Sequence, residues 1–243
     1  MPKFLRPQSL KYPQVYGNFR TRNKNGDKLT DYLIQDLPEE YFDVALDLLV
    51  KEHLRDELLH ESRGVLKNSE AVKEAYKDWR KKLKNRFSIA CFTCEGTDLV
   101  GVNVLGVISN DDDDEIDDHQ SSEFKDVMGA LDYIGMQHNV FEKYNIDKFL
   151  TDYGLVINRD YRQRGIAGEF MKARIQVAKA LDLKVVSSVF TAVGSQKAAE
   201  KVGFKESFSI SFEELEKVFP QFDFSKIPAN DVKILDYKIK EQS

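Results

Sequence analysis

The run from Lys148 to Ala192 constrains the fold more than any other part of the chain. "KFLTDYGLVIN" reads as a strand, and Ile166, Phe170, Ala173, Val177 and Leu181 then lay an apolar stripe at helical spacing. "LKVVSSVFTA" follows as a second strand. Between the first strand and the helix stand Arg162, Gln163, Arg164, Gly165, Ile166, Ala167 and Gly168. Glycine and clustered positive charge at a helix mouth both cost stability, so this turn needs a reason. The first N–H groups of a helix have no partner within it, and with the helix dipole they make a site for anions. Glycines let the backbone approach a bulky diphosphate, and the arginines add charge and donors. The P-loop and the dinucleotide fingerprint are both missing. On spacing alone, a phosphate site and an ordinary tight turn with surface arginines stand level.

The elements around this unit set the fold class. "KLTDYLI" alternates as a strand. Pro38 then opens a helical stretch carrying Phe42, Leu46, Leu49 and His53, with Leu54 and Leu58 continuing its apolar side. After Ser69 a second helix places Val72, Tyr76, Trp79 and Leu83 on one stripe, with Lys73, Lys77, Arg80, Lys81 and Lys84 mostly on a solvated opposite face. "RFSIACFT" and "LVGVNVLGVIS" form a hairpin across "CEGTD". A helical pattern runs from Ser122 to Tyr144, and a short one from Gly194 to Val202. "FKESFSISF" and "VKILDYKIK" close the chain as strands. This order predicts an α/β (α+β) domain over 29–243, one central sheet covered by helices. Residues 1–28 read as a loosely ordered basic lead-in, with seven basic residues and one acidic residue from Lys3 to Lys28.

Charge and cysteine content exclude more than they suggest. Seven acidic residues between Asp111 and Asp118 account for the net charge of −5, which is +2 without them. The global charge therefore gives no argument for a nucleic-acid or membrane partner. The acidic loop, 110–121, lacks the glycine that a calcium loop needs for its bend, and no metal is expected. Cys91 and Cys94 form a C-x-x-C inside an apolar run and read as half-buried strand thiols. His138 reads as a surface or packing histidine. No signal-peptide pattern and no apolar run of ~18 residues is present, so a cytoplasmic protein is expected.

The segment from Arg162 to Ala167, R-Q-R-G-I-A, resembles the arginine/glutamine-x-x-glycine-x-glycine/alanine motif of the GCN5-related N-acetyltransferases. The likeness runs from about Leu29 to Lys240. Within that family "HLRDELLHE" and "VFTAVGSQKAAEKVGF" look most like the insect arylalkylamine N-acetyltransferases. The resemblance implies a mostly antiparallel sheet with one splayed parallel strand pair, and acetyl-CoA as co-substrate. It places the pyrophosphate on the turn from Arg162 to Gly168. The pantetheine arm would pair with the backbone of Leu155, Val156 and Ile157, where an N–H polarises the thioester carbonyl.

The resemblance also implies a base. An alkylamine near the lysine reference of ~10.4 is a free nucleophile in only about one molecule in a thousand at neutral pH. Glu57 matches the glutamate of the family's aspartate-glutamate-proline-leucine segment, with Leu58 in place of the proline; Asp56 and Glu61 are neighbouring alternatives. The tyrosine that often protonates the leaving thiolate is replaced by Ala199, which leaves the hydroxyls of Ser195 and Thr191. The expected reaction is direct attack by a small primary amine, an arylalkylamine, in a ternary complex. A polyamine or agmatine acetyltransferase and a CoA-binding module without turnover are the alternatives.

Overall fold

The computed structural model describes residues 4–22, 29–95, 98–112, 119–227 and 231–240. In chain order they form β1 (Val15–Arg22), β2 (Leu29–Asp36), α1 (Phe42–Leu48), α2 (Leu54–Asp56), α3 (Leu58–Arg63), α4 (Ser69–Leu83), β3 (Ile89–Thr93) and β4 (Leu99–Ser109). There follow α5 (Ser122–Met136), α6 (Val140–Tyr144), β5 (Lys148–Ile157), α7 (Ile166–Ala180), β6 (Val185–Phe190), α8 (Val193–Val202), β7 (Lys205–Ser211), α9 (Phe212–Val218) and β8 (Asp231–Lys238). The strands make one sheet in the order β1-β2-β3-β4-β5-β6-β8-β7. Every neighbouring pair is antiparallel except β5 and β6.

Both faces of the sheet are covered. On one face Leu46, Leu59, Trp79, Phe124 and Leu215 from the helices pack with Val102, Val104 and Val156. On the other, Ile166, Phe170, Ala173 and Val177 of α7 pack with Leu105, Leu150 and Val186. A strand buried on both faces has no polar side to show, which is why β3 and β4 read as nearly continuous apolar runs.

Two irregularities open the middle of this sheet. β5 carries an extra residue, Tyr153, between Asp152, which pairs with Leu105, and Gly154, which pairs with Val104. One added residue inverts the facing of everything after it. Leu150 accordingly packs on the α7 side and Val156 on the opposite side, although regular alternation keeps residues six apart on one face. The second irregularity is the parallel pair itself. Its register is limited to Leu150 opposite Val186, while β5 continues along β4 to Ile157 and β6 continues along β8 to Phe190. The two strands part above Leu150, and a cleft lies between them.

Several expectations from the sequence change here. The lead-in contains β1, paired with β2 from Val15 to Arg22. Phe19 stacks on Tyr32 at 5.1 Å, while most other residues of this edge strand face outward, which hid its alternation. The single helix expected from Phe42 to Leu58 is interrupted by a π-helical turn, Leu49–His53, and by a break at Glu57. The Ser122–Tyr144 helix is two, with the Asn139 side chain capping α6. α9 follows β7 at once, held by a reciprocal cap between Ser211 and Glu214, in a stretch to which the sequence reading assigned no helix. Cys91 is buried in β3 and Cys94 is exposed beyond it, both as free thiols. His138 is a packing histidine, its Nε2 2.8 Å from Asp236 Oδ2. Residues 113–118 of the acidic stretch, 25–26 and the hairpin residues 96–97 lie outside the described residues. No helix among the described residues is long and apolar enough to cross a membrane.

Candidate active site

The turn from Arg162 to Gly168 stands at the end of β5, as its sequence position requires. Gln163 (φ 63°) and Gly165 (φ 78°) both take left-handed backbone, and Gly165 caps α7. Helical hydrogen bonding takes hold only with the Gly168 N–H, which reaches Gly165 O at 3.0 Å. The N–H groups just before it occupy the positions a helix leaves unsatisfied. A Cβ added at Gly165 or Gly168 would meet no atom within 4 Å, so neither glycine is demanded by packing against the rest of the chain. The open space above the turn suits a bulky anion.

The arginines of the turn do more than carry charge. Arg162 donates from Nε to Ile157 O (2.8 Å), from Nη1 to Asp56 Oδ2 (2.5 Å) and from Nη2 to Glu52 Oε2 (3.3 Å). Arg159 and Arg55 reach the same two carboxylates. Burial pushes the Asp56 carboxyl up, but hydrogen bonds from Arg55 and Arg162 more than offset this and leave it below the usual range. Arg164 donates to Tyr32 Oη (2.9 Å) and Asp160 O (2.6 Å) and lies over the Tyr161 ring. Arg162 thus ties the turn to α2, and α2 delivers Glu57.

Glu57 sits at the break between α2 and α3 in an extended conformation and caps α3. Its Oε2 accepts the His60 N–H at 2.9 Å and lies 2.6 Å from His60 Nδ1; its Oε1 accepts from the Thr191 hydroxyl at 2.7 Å. Thr191 follows the end of β6, so Glu57 reaches one wall of the cleft. His53 reaches the other. Its ring lies against Gly154, where an added Cβ would stand 3.2 Å from Nε2. Gly154 also has φ 143°, so a side chain is excluded on two counts. His53, His60 and Trp79 form an aromatic cluster with ring centroids 5.5 to 6.3 Å apart.

Burial pulls the His53 imidazole down to about 4, with the neighbouring His60 adding to the effect. Burial pushes Glu57 the other way, yet the His60 hydrogen bond and the charges of His60 and His53 prevail and hold its carboxyl at about 2. The two shifts act on stability in different pH windows. A histidine whose folded value lies below its unfolded one stabilises the fold above the unfolded value, and this is lost as pH falls toward the folded value. For His53 the window runs from about 6.5 to about 4, a loss of up to about 3 kcal/mol. Glu57 loses its contribution only below about 4.5, as pH falls toward 2. Urea unfolding at a series of pH values should therefore show a steeper decline between pH 6.5 and 4.5 in the wild type than in His53→Phe. Parallel curves would show that His53 does not carry this term.

Of the residues expected from sequence, Glu57 and Thr191 are brought into contact, and the turn Arg162–Gly168 and the strand Leu155–Ile157 flank the same cleft. Ser195 is placed differently: its Oγ donates to Ala192 O at 2.8 Å in the first turn of α8. Ala199 is buried, and Glu61 is exposed on α3. Sequence reasoning missed His53 and His60 as site residues. The signal available was their position on either side of "LRDELL", where helical spacing made His53 look like one more core residue. Among the described residues no group of three or more His, Cys, Asp or Glu is arranged to hold a metal ion.

No protein-family model matches the chain. Among solved structures, a protein assigned as insect arylalkylamine N-acetyltransferase 7 from the yellow fever mosquito Aedes aegypti is 34% identical, with a TM-score of 0.93 over 98% of this chain and 100% of that one. Arylalkylamine N-acetyltransferase 2 from Aedes aegypti matches at 19% identity and TM-score 0.75, over 86% of this chain and 99% of that one. Drosophila melanogaster polyamine N-acetyltransferase, which forms N-acetylagmatine, matches at 13% identity and TM-score 0.68, over 86% and 100%. The last two share the fold. The first, similar along almost the whole chain, carries the assignment: with its parted parallel strands and glycine turn, this chain belongs to the arylalkylamine N-acetyltransferase family of the GCN5-related N-acetyltransferases.

Proposed function

We propose that the protein transfers the acetyl group of acetyl-CoA to a small arylalkylamine by direct attack in a ternary complex. The observation that carries this reading is the position of Glu57, whose carboxylate meets Thr191 at the end of β6 while His53 beside it lies against Gly154 on β5. A general base stands where a cleft parts, and the phosphate-suited turn opens from the same strand.

In this reading the backbone N–H groups from Gln163 to Gly168 hold the pyrophosphate, while Arg162, expected from the sequence to bind it directly, is turned to Ile157 O, Asp56 and Glu52 and braces the turn instead. The strand edge of Leu155, Val156 and Ile157 pairs with the pantetheine amides, apart from the Ile157 carbonyl that Arg162 occupies, and an N–H of Leu155 or Val156 polarises the thioester carbonyl. The amine attacks the carbonyl carbon, Glu57 takes the proton that leaves its nitrogen, and the carbon–sulfur bond breaks to give the thiolate. Of the two hydroxyls that remain in place of the family tyrosine, Thr191 is the one bonded to the base. Thiolate protonation assists without being obligatory, since a thiol is far more acidic than an alcohol.

One observation favours an aromatic amine over a polyamine. A second cationic group on the substrate needs a second carboxylate, and Glu52 and Asp56 are already engaged by Arg55, Arg159 and Arg162. Beside Glu57 stands instead the His60 ring, which clusters with the rings of His53 and Trp79. Isothermal titration with acetyl-CoA tests the cofactor site, and thiol release with tryptamine, dopamine, agmatine and putrescine tests turnover. Tight cofactor binding with higher kcat/KM for the two aromatic amines is expected. Preference for agmatine or putrescine would reverse the substrate assignment, and binding without release for all four would make the protein a CoA-binding module.

A further inference from the structure

The bulge in β5 is held by side chains for which acetyl transfer, as described so far, has no use. A bulged residue interrupts the ladder and leaves backbone groups to be satisfied in other ways. Here the Gly154 N–H donates to Asp152 Oδ1 at 3.2 Å, Gly154 O accepts from Asn103 Nδ2 at 3.0 Å, and Tyr153 O accepts from Trp79 Nε1 at 2.9 Å. Arg174, from the middle of α7, joins the first two. Its Nε donates to Asn103 Oδ1 at 2.5 Å and its Nη2 forms an ion pair with Asp152 Oδ2. The guanidinium is 1% exposed and lies 5.7 Å from the centre of the Phe190 ring on β6. It spans side chains of β4, β5 and β6 from the α7 face of the sheet. Its Nη1 is buried without a hydrogen-bond partner, so the network ends in a spare donor.

Such an arrangement is costly as mere filling. Taking an arginine and an aspartate out of water costs several kcal/mol for each ion, and well-packed apolar residues often do as well or better. Burial holds the Asp152 carboxyl above its usual range in spite of Arg174, and lowers the Arg174 guanidinium. The network does one thing that apolar residues cannot, which is to grip both the N–H and the C=O of Gly154. Those two groups fix the peptide planes on either side of Gly154, and the second of these planes carries the Leu155 N–H.

We propose that Arg174, acting through Asp152 and Asn103, is a positioning residue that aims the Leu155 N–H at the thioester oxygen. The proposal rests on the acetyl-CoA reading above and adds the group that makes its oxyanion donor rigid. A donor aimed in advance pays no reorganisation when charge develops on the oxygen, and losing one such donor lowers kcat by ~10² to 10³. The pyrophosphate turn lies at the far end of the cofactor and makes none of these contacts.

Three variants test the clamp. Arg174→Met keeps most of the volume but strands Asp152; Arg174→Met with Asp152→Asn removes the stranded charge as well; Asn103→Ala releases the Gly154 carbonyl and the Arg174 Nε–H but leaves the Arg174–Asp152 ion pair. In each variant with a wild-type circular dichroism spectrum, kcat should fall at least about tenfold, in keeping with a partly misplaced donor. The Kd for desacetyl CoA should stay within about threefold of wild type, because the pyrophosphate and most of pantetheine bind as before. A scaffold role confined to stability would leave kcat of the folded variants unchanged, and wild-type kcat in any one of them overturns the proposal. Failure of wild-type protein to bind CoA at all would instead sink the acetyl-CoA reading.

Discussion

Replacing Glu57 with alanine should lower kcat/KM by ~10²-fold or more, the usual scale of general-base effects, while acetyl-CoA binds within about threefold of its wild-type affinity. The carboxylate has three ties, to the His60 N–H, the His60 ring and the Thr191 hydroxyl. Together with the neighbouring imidazoles they hold it ionised, at about 2, throughout the neutral range. Such a group is always ready to accept a proton but is a weak base toward a free ammonium ion. It becomes effective as attack proceeds, because the nitrogen turns strongly acidic once it bonds to the carbonyl carbon. Alanine also removes the cap of α3, a loss of about 1 kcal/mol. Glutamine separates the two roles, since its amide oxygen still accepts the His60 N–H but no longer takes a proton. Glu57→Gln should therefore be nearly as slow as Glu57→Ala and more stable, as read by steady-state kinetics and thermal unfolding. Wild-type kcat/KM with an unchanged pH profile in both variants would move the base elsewhere.

What the sequence made legible was local. The β5, turn, α7 and β6 unit could be read because its strands are rich in β-branched and aromatic residues and its helix keeps one stripe from Ile166 to Leu181. The contact that makes the site, Glu57 to Thr191, spans 134 positions, and no periodicity reports a contact of that range. Only the resemblance to a family singled out both residues. The bulge at Tyr153 was invisible because an added residue in an apolar strand looks like one more apolar residue. Arg174 was hidden for the opposite reason: a lone arginine within a helix reads as solvated, and only the fold shows its partners, Asp152 and Asn103, beneath it. β1 escaped because an edge strand carries polar residues and glycine where a central strand carries valine.

The turn itself should prove the most sensitive element for cofactor affinity, and Gly165→Val tests it. At φ 78° a β-branched residue is strained, at a cost of about 1 to 3 kcal/mol. The backbone can escape only by swinging the N–H groups of the turn away from their common centre. Losing two charge-assisted hydrogen bonds to a pyrophosphate, each worth about 1.5 to 3 kcal/mol, should raise the Kd for acetyl-CoA by ~10²-fold or more. Gly168→Ala serves as the contrasting variant. Gly168 lies inside α7 with open space around its Cα, so alanine should raise stability by about 1 kcal/mol through helix propensity alone. Any affinity that Gly168→Ala loses then measures the room the cofactor needs, whereas the loss in Gly165→Val measures the direction of the N–H groups. Titration calorimetry beside thermal unfolding reads both quantities in each variant. A folded Gly165→Val protein that binds acetyl-CoA as tightly as wild type would return the turn to the bland alternative that spacing alone left open, a tight turn with surface arginines.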